Sequence, residues 1–286
     1  MIFGRSCANG NLGHLKAQRS ATHVQITRGT QLTSTHAGSI DGLEDELRRG
    51  LATRSLSPPF LEVDAWIFDF DGTLTDYDSA DQLAVEKMRQ AFCAHLDPAD
   101  FLRAAKDSRA AYYRSVAAEG PRAGLDAFRI ATLFTAVNLP LPTAAVRSYQ
   151  DALRVETTAL PGARTLLERL ATKYRLGVVT NAYDVEPQRS RIEATGLGDL
   201  LDAVVIAAEV GHFKPDHQIM WVAAEMLDVR PERCVYVGDS VPFDVVAGKA
   251  AGMTTVLVGQ APHPDAHLHV HDLWELDQIV AAAFTR

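Results

Sequence analysis

Five short apolar runs alternate with longer amphipathic stretches from about residue 62 onward, and this alternation constrains the fold more than any other feature of the sequence. Near-continuous apolar character is typical of strands that are covered on both faces, as in parallel sheets. The alternation therefore predicts an α/β fold built on an open, doubly wound parallel sheet with right-handed crossovers. The apolar runs are 65–68, 176–180, 203–207, 234–237 and 254–258, and the predicted helices are about 161–173, 185–195, 216–228, 243–251 and 272–284.

The interval between the first two runs breaks this rhythm, because roughly 100 residues pass with almost no strand pattern, far more than a loop takes. The interval instead predicts four helices: Ala80–Leu96, Pro98–Ala118, Leu125–Asn138 and Ala144–Val155. We therefore predict an inserted all-helical cap at 77–158 and a core formed by 61–76 and 159–286. The insertion begins just after the first run, so the cap is placed to cover the end of that strand as a lid.

The first 60 residues differ in composition from the rest of the chain. Residues 1–40 contain four basic residues and no acidic one, and they are rich in Ser, Thr, Gly and Asn without a clear period. Such a composition predicts a largely disordered N-terminal extension at 1–60. Two other interpretations stay open: an organelle transit peptide, which is also basic and acid-poor, and a start codon placed too far upstream.

Composition excludes several classes of protein. The net charge of −8 argues against a nucleic-acid-binding surface, and no apolar run approaches the ~20 residues of a membrane helix. Cys7, Cys93 and Cys234 are far apart and lack metal or redox spacing, which suits a reducing compartment. We expect a cytoplasmic protein with a small-molecule partner, acting as a monomer or a homodimer.

The first apolar run ends in two aspartates one residue apart, in "WIFDFDGTLTD". Residues i and i+2 of a strand face the same side, so Asp69 and Asp71 are predicted to project together from the carboxyl end of the strand, where open α/β sheets bind ligands. Two close carboxylates repel each other unless a cation is present, and Mg²⁺ is a cation that prefers oxygen ligands. The alternative interpretation is a strand that ends in an acidic turn.

Polar residues also follow the next three runs. Thr180 ends the second run, Lys214 precedes the helix after the third, and Asp239 and Asp244 follow the fourth. Each has an ordinary alternative: Thr180 as a turn residue, Lys214 as a solvated surface lysine, and Asp239 as a helix cap. The carboxyl ends of parallel strands share one edge of the sheet. Polar residues at all four strand ends, in this order, therefore predict an active site instead.

The order and spacing of these residues resemble the haloacid dehalogenase superfamily of hydrolases over about 62–284. The superfamily pattern is Asp-x-Asp-Gly-Thr, a Ser or Thr at the next strand end, a Lys, and then Gly-Asp-x-x-x-Asp or a close variant. The matching segments are Asp69-Phe-Asp71-Gly72-Thr73, Thr180, Lys214-Pro215 and Gly238-Asp239-Ser240 with Asp244. The predicted helical cap matches the superfamily's insertion between the first and second motifs.

The resemblance implies roles for the matched residues. Asp69 would be the nucleophile that forms an aspartyl-phosphate, and Asp71 the general acid and base. The phosphoryl group would be bound by Thr180, Asn181 and Lys214. Of these three, Thr180 and Lys214 would also be catalytic residues. Mg²⁺ would be held by Asp69, the backbone carbonyl of Asp71, and Asp239. The supporting residues would be Gly72, Thr73 and Asp244, the last by orienting a bound water or Lys214.

Asp71 separates branches of the superfamily, because the dehalogenases have no alkoxide leaving group and use no acid at this position. The resemblance therefore implies a Mg²⁺-dependent phosphatase acting on a small phosphomonoester. A sugar phosphomutase with the same residues and a non-catalytic binding protein on the same scaffold are the alternatives. Ala182 and Tyr77 depart from the usual Gly and Ser of relatives, so the substrate is not assigned.

Overall fold

The computed structural model of the 286-residue chain describes residues 60, 62–120, 124–259 and 261–285. Nearly all of the predicted N-terminal extension, residues 1–60, lies outside the described residues. The division into a core at 61–76 and 159–286 and a cap at 77–158 remains a proposal. Among the described residues, none of the helices has the length and apolar composition that crossing a membrane requires.

Six parallel strands form one sheet in the order β3-β2-β1-β4-β5-β6. This confirms the predicted doubly wound parallel sheet, with β1 and β4 adjacent at its centre. The sixth strand is short and lies at the edge beside β5. The strands are β1 (Ala65–Phe68), β2 (Arg175–Thr180), β3 (Ala203–Ile206), β4 (Cys234–Gly238), β5 (Thr254–Val258) and β6 (Leu268–Val270).

Helices cover both faces of the sheet, as the continuous apolar runs predicted. Along β1 the side chains alternate between two separate cores, with Trp66 and Phe68 in one and Ala65 and Ile67 in the other. The core helices are α5 (Ala163–Ala171), α6 (Val185–Ala194), α7 (Ala207–Val210), α8 (Gln218–Met226), α9 (Val246–Ala250) and α10 (Leu273–Phe284). A π-helical segment, Val241–Val245, leads directly into α9.

The first four helices after β1 form the predicted all-helical cap, and α5 follows them before β2. They are α1 (Tyr77–Phe92), α2 (Pro98–Glu119), α3 (Leu125–Ala136) and α4 (Ala145–Glu156). The first helix begins before the predicted Ala80 because Asp76 caps it, accepting a hydrogen bond from the Ser79 amide at 3.1 Å. The cap has an apolar core of its own, so it is more than a long loop.

Direct contacts hold the cap against the loop that follows β2. The Asp184 carboxylate accepts hydrogen bonds from the amides of Gly124 at 2.7 Å and Asp126 at 3.3 Å, at the start of α3. The Tyr183 ring meets the Tyr112 ring of α2 edge-on, with centroids 5.5 Å apart. These contacts place the cap over the carboxyl ends of the central strands.

Candidate active site

A cavity of about 630 Å³ lies between the carboxyl edge of the sheet and the cap. The core side contributes residues at or after the ends of β1, β2, β3 and β4, because parallel strands end at the same edge. The cap side is largely apolar and aromatic. The lining includes Asp69, Asp71, Thr180, Lys214, Asp239 and Asp244 from the core and Tyr77, Tyr113, Val116 and Leu125 from the cap.

Lys214 bridges two aspartates at the floor of this cavity. Its Nζ donates to Asp69 Oδ1 at 2.6 Å and to Asp244 Oδ1 at 2.7 Å. All three side chains are buried, Lys214 being 4% exposed and Asp244 2%. Burial lowers the pKa of Lys214, but the carboxylates of Asp244 and Asp69 outweigh it, so this pKa lies well above its usual value. Lys214 is therefore a fixed positive charge beside Asp69.

Two further residues fix the position of Lys214. The Tyr236 hydroxyl lies 3.0 Å from Lys214 Nζ and donates to Asp244 Oδ1 at 3.2 Å. The Asn181 side chain accepts from the Lys214 amide and donates to the Lys214 carbonyl, both at 2.8 Å. Asn181, which we predicted to bind substrate, lines the cavity and clamps the loop that carries the lysine.

Three carboxylates form a cluster that suits a metal ion. One oxygen from each of Asp69, Asp239 and Asp244 lies within 4.8 Å of the others. The close approach depends on Gly72, whose φ is +97° and where an added Cβ would lie 2.7 Å from Asp239 Oδ2. Thr73 Oγ1 contacts both Asp69, at 3.4 Å, and Asp239, at 3.5 Å.

The electrostatics of the cluster favour a bound cation. Burial raises the pKa of Asp69, and Asp244 and Asp239 add to that effect while Lys214 opposes it. Burial, together with Asp244, also raises the pKa of Asp239 to about 6. Carboxylates that resist ionisation because they are buried together are stabilised by a cation, and oxygen ligands suit a hard divalent ion such as Mg²⁺. The donor set therefore fits a divalent metal.

The Asp71 carboxylate has different partners from that of Asp69. It pairs with Arg191 of α6, whose Nη2 and Nη1 lie 2.5 and 3.0 Å from its two oxygens, and it accepts from Gln188 Nε2 at 3.1 Å. The prediction that both aspartates project together assumed a strand through residue 71, but β1 ends at Phe68. Both aspartates line the same cavity, yet the chain turns after Phe68, so their carboxylates do not share a set of contacts.

Thr180, at the end of β2, belongs to the same group of contacts as Asp71. Its hydroxyl accepts from Gln188 Nε2 at 3.0 Å. Three residues of the site were not predicted from the sequence: Gln188, Arg191 and Tyr236. The signal for Tyr236 was weak because it lies inside an apolar run, whereas Gln188 and Arg191 occupy a buried helix face where apolar residues are the rule.

Known hydrolases and phosphatases are similar in sequence to this chain. The model of a family described as haloacid dehalogenase-like hydrolases matches residues 63–252. The pyrimidine 5′-nucleotidase YjjG of Escherichia coli is 36% identical over 110 residues, which are 38% of this chain and 48% of YjjG. A glyceraldehyde 3-phosphate phosphatase of Methanopyrus kandleri is 33% identical over 126 residues, 44% of this chain and 54% of that protein. The chain thus spans about half the length of the curated relatives it matches.

Solved structures share the fold over most of this chain. The putative HAD-hydrolase YfnB of Bacillus subtilis has a TM-score of 0.64 at 20% identity, covering 77% of this chain and 99% of that chain. The L-2-haloacid dehalogenase PA0810 has a TM-score of 0.63 at 21% identity, with the same coverage of 77% and 99%. At these identities the likeness shows the fold alone, which does not separate phosphatases from dehalogenases.

Proposed function

The chain belongs to the haloacid dehalogenase-like hydrolases, and on that premise we propose that it is a Mg²⁺-dependent phosphatase that hydrolyses a small phosphomonoester through an aspartyl-phosphate. One observation carries the proposal. The buried Asp69 lies 2.6 Å from Lys214 and within a cluster of three carboxylates, while a second aspartate, Asp71, lines the same cavity. Curated phosphatases among the relatives support the same reaction class.

In the first half of the proposed reaction, an oxygen of Asp69 bonds to phosphorus as the bond from phosphorus to the leaving oxygen breaks. Asp71 gives its proton to that leaving oxygen, which departs as an alcohol. Lys214 neutralises negative charge on Asp69 and on the phosphoryl oxygens, and the Thr180 hydroxyl donates to one of those oxygens. Asp244 and Tyr236 hold the lysine in place for this role.

In the second half, a water oxygen bonds to phosphorus and the bond from phosphorus to Asp69 breaks, releasing phosphate. Asp71 accepts the proton of that water and is ready for the next cycle. Asp69, Asp239 and the main-chain carbonyl of Asp71 would hold Mg²⁺, and Asp244, whose oxygens accept from Lys214 and from the Ser240 amide, would orient the lysine. When bound, Mg²⁺ supplies charge neutralisation for the phosphoryl group.

Asp71 favours phosphate ester hydrolysis over dehalogenation. A halide leaves without a proton, whereas an alkoxide leaving group needs one. Asp71 lines the same cavity as Asp69, which supports its role as the proton donor that ester cleavage requires. The aromatic and apolar cap side of the cavity would take up the organic part of the ester.

A phosphatase screen over metabolite phosphomonoesters, with and without Mg²⁺, tests this function by phosphate release. We expect Mg²⁺-dependent turnover that Asp69→Asn reduces to background, together with loss of the phosphoenzyme. Asp265→Asn is the matched control, because Asp265 is an exposed residue whose carboxylate pairs with Lys249. Mg²⁺-independent turnover, or full activity in Asp69→Asn, would contradict the proposal.

A further inference from the structure

Helix α6 presents polar residues on its buried face. Gln188 and Arg191 are three residues apart, so they lie on the same side of the helix, and each is only 4% exposed. Burying a guanidinium and an amide is unfavourable unless their hydrogen-bonding groups are satisfied. The hydrogen-bond partners of Gln188 and Arg191 therefore explain how both side chains can be buried.

The Arg191 guanidinium is fixed from several sides. Besides its two contacts with Asp71, its Nε donates to Thr157 Oγ1 at 3.0 Å and its Nη1 to Gln188 Oε1 at 2.8 Å. The ring centroid of Tyr77 lies 5.1 Å from its Cζ. Thr157 and Tyr77 lie where the chain leaves and enters the cap. A planar guanidinium with fixed neighbours restricts the orientation of the carboxylate it binds.

Gln188 connects this carboxylate to the phosphoryl-binding hydroxyl. Because its Oε1 accepts from Arg191, its Nε2 has both hydrogens available, and it donates to Asp71 Oδ2 at 3.1 Å and to Thr180 Oγ1 at 3.0 Å. A hydroxyl that accepts a hydrogen bond still has one proton to donate. Among the described contacts the Thr180 hydroxyl only accepts, so that proton can go to a phosphoryl oxygen in the cavity.

From these contacts we infer that Gln188 and Arg191 are positioning residues of the reaction: Arg191 aims the Asp71 carboxylate, and Gln188 turns the Thr180 hydroxyl into a donor toward the phosphoryl group. The inference rests on the proposed phosphatase function. Substitutions of the two residues should therefore affect different steps of catalysis. Losing Arg191 harms proton delivery to the leaving oxygen, whereas losing Gln188 harms phosphoryl binding for every ester.

Two esters with different leaving groups separate these effects. The 4-nitrophenolate of 4-nitrophenyl phosphate leaves with little help from an acid, whereas the alkoxide of glycerol 2-phosphate needs a proton. The ratio kcat/KM reports the steps up to release of the leaving group. For Arg191→Met we expect kcat/KM to fall by about 10²-fold for the glycerol ester and by less than about fivefold for the nitrophenyl ester.

For Gln188→Leu we expect a fall of about fivefold for both esters, the effect of one hydrogen bond. Arg189→Met is the matched control on the same helix, because Arg189 is 42% exposed and pairs with Glu209, and it should change neither ratio. Arg191→Lys keeps a cation but loses the paired contact. It provides a second test if Arg191→Met does not fold, with a smaller change in the same direction.

The outcomes distinguish this inference from the proposed function. If the wild-type enzyme hydrolyses both esters and the folded Arg191 variants lose activity equally on both, or lose none, the positioning role is wrong while the phosphatase function stands. If the wild-type enzyme hydrolyses neither these two esters nor any phosphomonoester of the metabolite screen in the presence of Mg²⁺, the proposed function and this inference are both overturned.

Discussion

Gly72→Ala tests whether Asp239 holds the metal ion. Gly72 has a φ of +97°, and an added Cβ would lie 2.7 Å from Asp239 Oδ2, closer than non-bonded atoms approach. The left-handed backbone alone costs about 1–2 kcal/mol for a residue with a Cβ. The Asp239 carboxylate is the end of a side chain that can rotate away, so the clash displaces this oxygen instead of unfolding the protein.

Gly252→Ala is the matched control for this change. Gly252 has a similar φ of +84°, but its added Cβ would meet only Glu232, at 3.8 Å or more. Both variants should therefore lose about 1–2 kcal/mol of unfolding free energy in urea. Only Gly72→Ala should also lose Mg²⁺ affinity, by about 10- to 100-fold, the range seen when residues that orient metal ligands are changed.

Titration calorimetry with Mg²⁺, together with activity as a function of Mg²⁺ concentration, measures the difference. Excess Mg²⁺ should restore part of the activity of Gly72→Ala, because a higher concentration of the ion compensates for its weaker binding. If Gly72→Ala and Gly252→Ala bind Mg²⁺ with the affinity of the wild-type protein, Asp239 is not a ligand, and the metal site that we place at this cluster is wrong.

Three further predictions concern the buried charges. Tyr236→Phe removes the hydroxyl that lies 3.0 Å from Lys214 Nζ, so urea unfolding should show a loss of about 1 kcal/mol; unchanged stability would contradict this contact. The pKa of Asp239 is raised from 3.8 to about 6, so the native state without metal binds more protons than the unfolded state in this window. Asp239 should therefore contribute a fall of about 1–2 kcal/mol in the unfolding free energy as pH rises from about 4 to 7, a figure reduced because the side chain is partly exposed. Asp239→Asn should flatten that slope, and an unchanged slope would refute the assignment. Arg129→Met breaks the buried pair with Asp81, whose Oδ1 lies 2.6 Å from Arg129 Nη1, and should cost about 3–5 kcal/mol by denaturant unfolding without changing Mg²⁺ affinity.

The sheet could be predicted because its signals are local. The first apolar run, 65–68, coincides with β1, and the run 254–258 coincides with β5, since four or five consecutive buried residues leave few alternatives to a covered strand. The approach of Asp69, Lys214 and Asp239 could also be expected, because parallel strands end at one edge. What the sequence could not supply was the backbone path after Phe68, on which the direction of the Asp71 side chain depends.

The same limit applies to helix α6. Gln188, Arg191 and Ile192 are its buried residues, a spacing that predicts one packed face, but only Ile192 is apolar. Two polar residues at this spacing fit either a helix face exposed to solvent or a buried face with polar partners. The sequence contains no pattern that distinguishes these two possibilities. The deciding fact is that Asp71 turns toward this helix, which depends on the end of β1 and on the turn at Gly72. The partners of Arg191 outside its own helix are far away in the chain, at Asp71 and Thr157. Residues that only position other side chains are thus the hardest part of this site to predict, because their role is defined entirely by contacts that exist after folding.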